Sequence, residues 1–154
     1  HRQENTDNIQ KLKNIFSALS KSSVPVIMPI HPRTKQTLIK NKIKYNDIIK
    51  IIDPIGYLDM IILEKNALKI VTDSGGIQKE AFFFNTPCIT IRDETEWIEL
   101  VDVKVNKLVG SDKNKIITAI ESFSPKNYDF SFYGAGNSAE KILSDIIQFS
   151  SNEK

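Results

Sequence analysis

The sequence predicts an α/β fold, a Rossmann-like doubly wound parallel sheet with helices on both faces. Two observations carry this prediction. Strand-like and helix-like segments alternate through most of the chain, which is typical of parallel sheets covered by helices. The apolar run DIIKIID at residues 47–53 lacks the polar alternation of a strand with one wet face. We therefore expect this strand to be buried on both sides.

The individual elements follow from spacing and turn residues. Apolar side chains recur at helical spacing from Ile9 to Leu19, with Asp7 as a candidate N-cap. The run VPVIMPI at residues 24–30 predicts a strand. The remaining predicted elements are helix 33–42, strand 47–53, helix 56–67, strand 68–73, helix 76–84, strand 87–92, helix 95–101, strand 106–110, helix 112–123 and an amphipathic helix 137–149 capped by Asn137 or Ser138.

The bulk composition is that of an ordinary globular domain. The chain has 154 residues, 40% hydrophobic and 26% charged, and a net charge of +2. This charge is too small to favour a nucleic-acid partner, and no apolar run reaches membrane-spanning length. The single Cys88 excludes an internal disulfide and suits a cytoplasmic protein. The chain begins at His1 without an initiator methionine, so we expect a fragment of a longer protein.

The most informative local feature is the TDSGG turn between a predicted strand and a predicted helix. Ligands of doubly wound sheets bind beyond the carboxyl ends of the strands. Gly75 and Gly76 allow close backbone approach, and the helix start offers unpaired N–H groups, so a phosphate or diphosphate is the natural guest. A plain tight turn, capped by Asp73 or Ser74, is the alternative. Glu80 lies one helical turn further, where its carboxylate could accept hydrogen bonds from a ribose diol or simply face solvent.

Several motifs together carry a family resemblance. The segments TDSGGIQKEA, CITIRDETEW and KLVG, with HRQEN, PIHPRT, DPIGYLDM and YGAGNSAEKI, occur in the order and spacing of the non-hydrolysing UDP-N-acetylglucosamine 2-epimerases. The chain resembles the C-terminal half of such an enzyme. Its segments DETEWIELV and DPIGYLDM are more similar to the branch acting on UDP-2,3-diacetamido-glucuronic acid. The resemblance implies two Rossmann-like domains of the glycosyltransferase-B type, with residues 1–154 as the C-terminal UDP-binding domain.

The resemblance also implies roles for individual residues. In the family's pattern the turn holds the diphosphate, the carboxylate one turn later holds the ribose, and the DPIGYLDM segment forms the uracil pocket. His1 would lie near the diphosphate and sugar as the catalytic candidate, and two further residues match the contacts of a second, activating UDP-N-acetylglucosamine. The implied substrate-binding residues are Ser74, Gly75, Gly76, Glu80, Ile55 (through its main chain) and Met60, and the implied allosteric residues are Arg2 and His31.

Three positions depart from the family's pattern. Trp97 stands where many members have an arginine that helps to bind the nucleotide sugar. Ile55 stands where many have glutamine, and Lys79 replaces an acid next to Glu80. Lys79 weakly favours an acidic substrate, although a solvated surface lysine is the simpler interpretation. By spacing alone Met60 also fits a core residue.

The activity that the resemblance implies is interconversion of UDP-N-acetylglucosamine and UDP-N-acetylmannosamine, or of a modified UDP-sugar, for polysaccharide biosynthesis. The family eliminates UDP and adds it back with inversion, using carboxylates of the N-terminal half, so this chain alone is expected to be inactive. Its expected partners are that half and, at full length, a second copy. No cofactor is expected, since G-x-G-x-x-G and metal-ligand spacings are absent from the sequence. A glycosyltransferase of the same architecture and a non-catalytic nucleotide-binding module are the alternatives.

Overall fold

A computed structural model of the protein describes residues 2–152, and within them helices and strands alternate as the sequence predicts. This alternation confirms the α/β fold. The elements are α1 (Gln3–Thr6), α2 (Ile9–Leu19), β1 (Val26–Pro29), α3 (Pro32–Lys40), β2 (Ile49–Ile52), α4 (Tyr57–Asn66), β3 (Ile70–Thr72), α5 (Gly75–Phe83), β4 (Cys88–Thr90), α6 (Ile98–Asp102), β5 (Asn106–Leu108), α7 (Lys113–Ser122), a 3-10 helix (Phe130–Tyr133) and α8 (Ser138–Asn152).

All strand pairings among the described residues are parallel, and they form two pieces of sheet. β1 pairs with β2, with Val26 opposite Ile49. β4 lies between β3 and β5, with Cys88 opposite both Ile70 and Asn106. Because neighbouring strands are parallel, their carboxyl ends meet at one edge. The segment that follows β3 therefore lies at the edge where doubly wound folds bind ligands.

The main core joins the two pieces of sheet to the helices that cover them. α2 packs against α7, and α7 packs against β4. The buried members of this cluster come from both sheet pieces and from helices α2, α3 and α7. They include Leu12, Ile15, Phe16, Leu19, Ile30, Leu38, Ile49, Ile89, Ile91, Val109 and Ile116. Burial of this apolar surface is the main force that holds the fold.

The start of the chain differs from the prediction. Asp7 is not the cap of α2. It ends the four-residue helix α1, and Asn8 caps α2 by accepting the N–H groups of Gln10 at 3.0 Å and Lys11 at 3.1 Å. A helix of one turn has too few residues to show a periodicity, so neither α1 nor the 3-10 helix was predicted.

Burial of β2 is also less complete than the unbroken apolar run suggests. Ile49 is buried, Ile51 and Ile52 are half-buried, and Lys50 is exposed. The strand is thus only partly covered by the described residues. Apolar side chains of α8 are exposed as well, with Ile142, Leu143, Ile146 and Phe149 each between 58% and 68% accessible. No helix within residues 2–152 has the length and apolarity that a membrane crossing requires.

Candidate functional site

The turn between β3 and α5 is built as a capped helix start. Ser74 is the N-cap, and its Oγ accepts the N–H of Ile77 at 3.5 Å. The Thr72 hydroxyl accepts the N–H of Ser74 at 3.0 Å, which fixes the direction of the turn. Within residues 2–152, the N–H groups of Gly75 and Gly76 have no hydrogen-bond acceptor. Together with the positive end of the helix dipole, these two amides can bind an anion.

Asp73 does not cap the helix but anchors the start of the chain. Its carboxylate accepts the backbone N–H of Arg2 at 2.9 Å and the Nδ2–H of Asn5 at 3.2 Å. Asn5 also donates to the carbonyl of Ile91 at 2.9 Å. Both Asp73 and Asn5 are buried. These bonds fix α1 at the carboxyl ends of β3 and β4, next to the turn.

The two glycines have different surroundings. A Cβ atom on Gly75 would lie 2.1 Å from Oε1 of Glu96, so the missing side chain makes room for a carboxylate of the protein itself. A Cβ atom on Gly76 would meet nothing closer than the Ser74 Oγ at 3.8 Å. Gly75 is buried and Gly76 is exposed. Gly76 is thus the glycine whose open surface a ligand can approach.

A buried amide network supports the turn from below. Gln78 is fully buried, and its Oε1 accepts the Thr95 hydroxyl at 2.6 Å and the Asn106 Nδ2–H at 2.9 Å. Its Nε2 donates to the carbonyl of Ser74 at 3.3 Å. The Thr90 hydroxyl in turn donates to Oδ1 of Asn106 at 2.7 Å. These bonds connect the turn to β4 and β5. They also supply the hydrogen-bond partners that buried polar groups need.

Trp97 contacts the turn from the side. Its Nε1–H donates to the carbonyl of Gly75 at 2.8 Å. The Lys79 ammonium lies over the Trp97 ring at 4.5 Å and over the Tyr133 ring at 4.2 Å, both within the range of a cation–π interaction. Lys79 is therefore held between two rings and is not the solvated surface lysine of the simpler sequence interpretation.

Four charged side chains lie beside the turn and balance each other. Arg92 is only 8% exposed and pairs with Glu96 and Glu4. Glu96 also pairs with Arg2 at 3.5 Å. Its own backbone N–H and the Arg92 guanidinium lower the pKa of Glu96. The carboxylate that lies against Gly75 is thus ionised and neutralised by arginines.

Glu80 is half-buried on α5, beside two groups of α4. Interaction with the Glu80 carboxylate raises the pKa of Tyr57. Burial, followed by repulsion from Glu80, raises the pKa of Glu64 to about 7. Glu64 itself is 2% exposed. The predicted ribose carboxylate therefore sits in a small acidic group that includes a buried partner.

The other predicted site residues belong to segments outside the turn between β3 and α5. Ile55 and Met60 are half-buried, in the loop before α4 and in α4 itself. His31 is the N-cap of α3, its Nδ1 accepting the N–H of Arg33 at 3.2 Å. Arg2 lies next to the turn through its pair with Glu96. His1, the catalytic candidate, lies outside the described residues.

Sequence reasoning missed the residues that support the site. Gln78 and Glu64 each occupy a helix position that reads as polar surface, although both are buried. A signal for Gln78 exists, since it follows Ser74 by four residues and so faces the same side of the helix start. Cys88 is a packing residue, because the thiol is 1% exposed and burial raises its pKa to about 12.

Comparison with known proteins identifies one family. A sequence model described as UDP-N-acetylglucosamine 2-epimerase matches residues 1–147. The UDP-N-acetylglucosamine 2-epimerase homolog of Methanococcus maripaludis is 49% identical over 148 residues, which are 93% of this chain and 42% of the relative. The UDP-2,3-diacetamido-2,3-dideoxy-D-glucuronate 2-epimerase of Pseudomonas aeruginosa is 42% identical over 147 residues, 92% of this chain and 41% of that protein.

Solved structures agree with the sequence comparison. The UDP-GlcNAc 2-epimerase of Methanocaldococcus jannaschii superposes with a TM-score of 0.82 at 44% identity, over 96% of this chain and 44% of that one. The same enzyme in complex with UDP-GlcNAc and UDP superposes with a TM-score of 0.81 at 44% identity, over 96% of this chain and 43% of that one. The chain thus spans less than half the length of the relatives it matches.

Proposed function

Because the chain belongs to the UDP-N-acetylglucosamine 2-epimerase family, we propose that it is the nucleotide-binding part of an enzyme that interconverts UDP-N-acetylglucosamine and its C2 epimer. The observation that carries this proposal is the helix start after β3, where Gly76 is exposed and neither the Gly75 nor the Gly76 amide has an acceptor within residues 2–152. A similar structure was solved with UDP-GlcNAc and UDP bound. The relatives are named as epimerases, which favours this function over glycosyl transfer.

The proposed binding mode places each part of UDP on a chemically suitable group. The diphosphate takes the Gly75 and Gly76 amides and the Ser74 hydroxyl. Glu80, one turn further along α5, accepts the ribose hydroxyls. The loop at Ile55 reads the uracil edge with its main chain, and Met60 packs on the ring. The proposed catalytic residue is His1, and Arg2 and His31 are proposed to contact the activating second nucleotide.

This part would contribute leaving-group stabilisation to the reaction. Elimination of UDP from the sugar breaks the bond between C1 and the β-phosphate oxygen, and negative charge develops on that diphosphate. Amides already oriented at the helix start stabilise this charge without reorganisation. The proton at C2 must be removed and returned by carboxylates of the other half, so the chain alone is not expected to epimerise.

We propose that residues 1–154 are the C-terminal domain and that the missing part of the enzyme covers its exposed apolar surface. The apolar side chains of α8 support this, since Ile142, Leu143, Ile146 and Phe149 are exposed on a 15-residue amphipathic helix. The full-length protein is proposed to form a homodimer and, given its single buried Cys88, to work in the cytoplasm.

The ribose contact gives the sharpest test of the binding mode. In the full-length protein, Glu80→Ala is expected to weaken UDP binding about 10–100-fold, the usual effect of losing a charged hydrogen bond. Binding of 2′,3′-dideoxy-UDP, which lacks the diol, is expected to be unaffected by the same substitution. Glu121→Ala on the exposed face of α7 is the matched control. Equal UDP affinity of wild type and Glu80→Ala would remove the ribose role.

Activity is tested on the full-length protein by NMR of C2 in UDP-N-acetylglucosamine. Appearance of the C2 epimer supports the function, and a parallel incubation with UDP-2,3-diacetamido-glucuronic acid identifies the substrate branch. Free sugar as the sole product would instead indicate hydrolysis, and transfer to an added acceptor would indicate a glycosyltransferase.

A further inference from the structure

Glu64 is a buried acid whose carboxyl group receives no hydrogen bond from a donor among the described residues. Its side chain is 2% exposed, and neither carboxyl oxygen has a hydrogen-bond partner among the described residues. Its backbone carbonyl, by contrast, accepts the Thr86 hydroxyl at 3.2 Å and the Ala67 N–H at 3.3 Å. An ionised carboxylate in such a place is strongly disfavoured unless a cation or several donors surround it. Glu64 must therefore either be protonated or have its negative charge stabilised by a neighbouring group.

Within residues 2–152, the groups that interact electrostatically with Glu64 carry no positive charge. They are Glu80 on α5, Tyr57 two helical turns earlier on α4, and the Cys88 thiol on β4. Repulsion by Glu80 adds to burial in disfavouring the ionised form of Glu64. Two adjacent carboxylates cannot share a hydrogen bond, whereas a carboxyl group and a carboxylate can. A proton held between Glu64 and Glu80 satisfies both.

We propose that Glu64 is a positioning residue: protonated, it donates a hydrogen bond to Glu80 and orients that carboxylate toward the ribose hydroxyls of the bound nucleotide. This inference rests on the proposed role of Glu80. Tyr57 approaches the same carboxylate, so two donors from α4 fix Glu80, and its remaining lone pairs face the ligand. When Glu64 loses its proton, the donor disappears and a second negative charge stands beside Glu80.

Nucleotide binding should then depend on pH through Glu64. The pKa of Glu64 lies at about 7, while the pKa of the Cys88 thiol is about 12 and that of Tyr57 is raised above its ordinary value. Of the groups that face Glu80, Glu64 alone among the described residues changes charge between pH 6 and pH 8.5. The ligand must not titrate in the same range. UDP-N-acetylglucosamine is suitable, because both of its phosphates are esterified and keep one charge each.

The experiment measures the affinity of the full-length protein for UDP-N-acetylglucosamine by calorimetry at pH 6 and pH 8.5. The wild type is expected to bind about tenfold more weakly at the higher pH, the effect of one lost charge-assisted hydrogen bond. In Glu64→Gln the amide keeps a donor at every pH, so this variant should bind with the acidic affinity of the wild type at both values. Glu121→Gln, an exposed acid on α7, should follow the wild type.

The outcomes separate this inference from the proposed function. The same pH dependence in Glu64→Gln as in the wild type overturns the inference, since the dependence then belongs to other groups. A wild-type affinity that does not change with pH overturns it without any variant, which covers the case of a variant that fails to fold. If instead Glu80→Ala binds as tightly as the wild type, the ribose role itself fails.

Discussion

Replacing Gln78 by leucine removes the amide that joins the turn between β3 and α5 to the strands beneath it. The Asn106 Nδ2–H, buried with its residue at 2% exposure, then loses its acceptor. The carbonyl of Ser74 loses the donor at 3.3 Å, and the half-buried Thr95 hydroxyl loses its acceptor at 2.6 Å. Leucine is close to glutamine in size, so no large cavity forms and the effect isolates the hydrogen bonds.

The expected cost follows from these bonds. A buried donor left without an acceptor costs about 1–3 kcal/mol, and each ordinary hydrogen bond lost costs about 1 kcal/mol. Burying a leucine in place of an amide returns about 1–2 kcal/mol of apolar transfer free energy. The Thr95 hydroxyl can turn toward water and contributes little. Together we expect a net loss of about 2 kcal/mol, concentrated at the turn and the first turns of α5.

Hydrogen exchange of the full-length protein measures this loss locally. In Gln78→Leu the amides of α5 should exchange about 30-fold faster, which corresponds to about 2 kcal/mol. UDP affinity should fall, because the turn loses its fixed geometry. Gln36→Leu, an exposed position on α3, is the matched control and should change stability by less than about 0.5 kcal/mol. Unchanged exchange in α5 of Gln78→Leu would refute the supporting role of the network.

Three further predictions concern the two glycines of the turn and Glu64. Gly75→Ala should destabilise the protein by about 1–2 kcal/mol in thermal unfolding, since Glu96 must leave a Cβ atom at 2.1 Å and abandon its arginines. Gly76→Ala should leave the melting temperature unchanged and weaken UDP binding. If Gly76→Ala lowered the melting temperature and Gly75→Ala did not, the different surroundings assigned to the two glycines would be contradicted. The free energy of unfolding should also fall, by at most about 3 kcal/mol, as pH rises from about 4.5 to about 7. The reason is that the folded state keeps a proton on Glu64 that the unfolded chain releases. Urea unfolding across this range in wild type and Glu64→Gln checks this, and the two proteins should differ in slope.

The fold could be predicted because its signals are local. Apolar runs and turn residues lie next to each other in the sequence, and the structure places all five strands within the predicted segments. The cap of α2 was displaced by one residue, from Asp7 to Asn8, because α1 takes Asp7 as its own end. Which of two adjacent residues caps a helix depends on whose side chain is better placed to accept the free N–H groups of the first turn. Sequence spacing alone does not determine this.

The turn could be predicted from sequence, but its support could not. Ser74, Gly75 and Gly76 form a recognisable pattern, because the conformational needs of a helix start limit the residue types there. Gln78 and Glu64 gain their meaning from partners far along the chain, such as Asn106, 28 residues away. A polar residue inside a helical pattern looks solvated until the tertiary structure shows what covers it.

Trp97, where the family resemblance implies an arginine, stands beside charges that already balance each other. Arg2 and Arg92 are already paired with Glu96 and Glu4, so the side chains of this group have no net charge. Arg92 is buried and cannot turn toward a ligand, whereas the Arg2 side chain is 46% exposed. The positive potential at the turn therefore comes chiefly from the helix start itself. Trp97 preserves this potential by holding the Gly75 carbonyl at 2.8 Å, so that the amides on either side keep their direction.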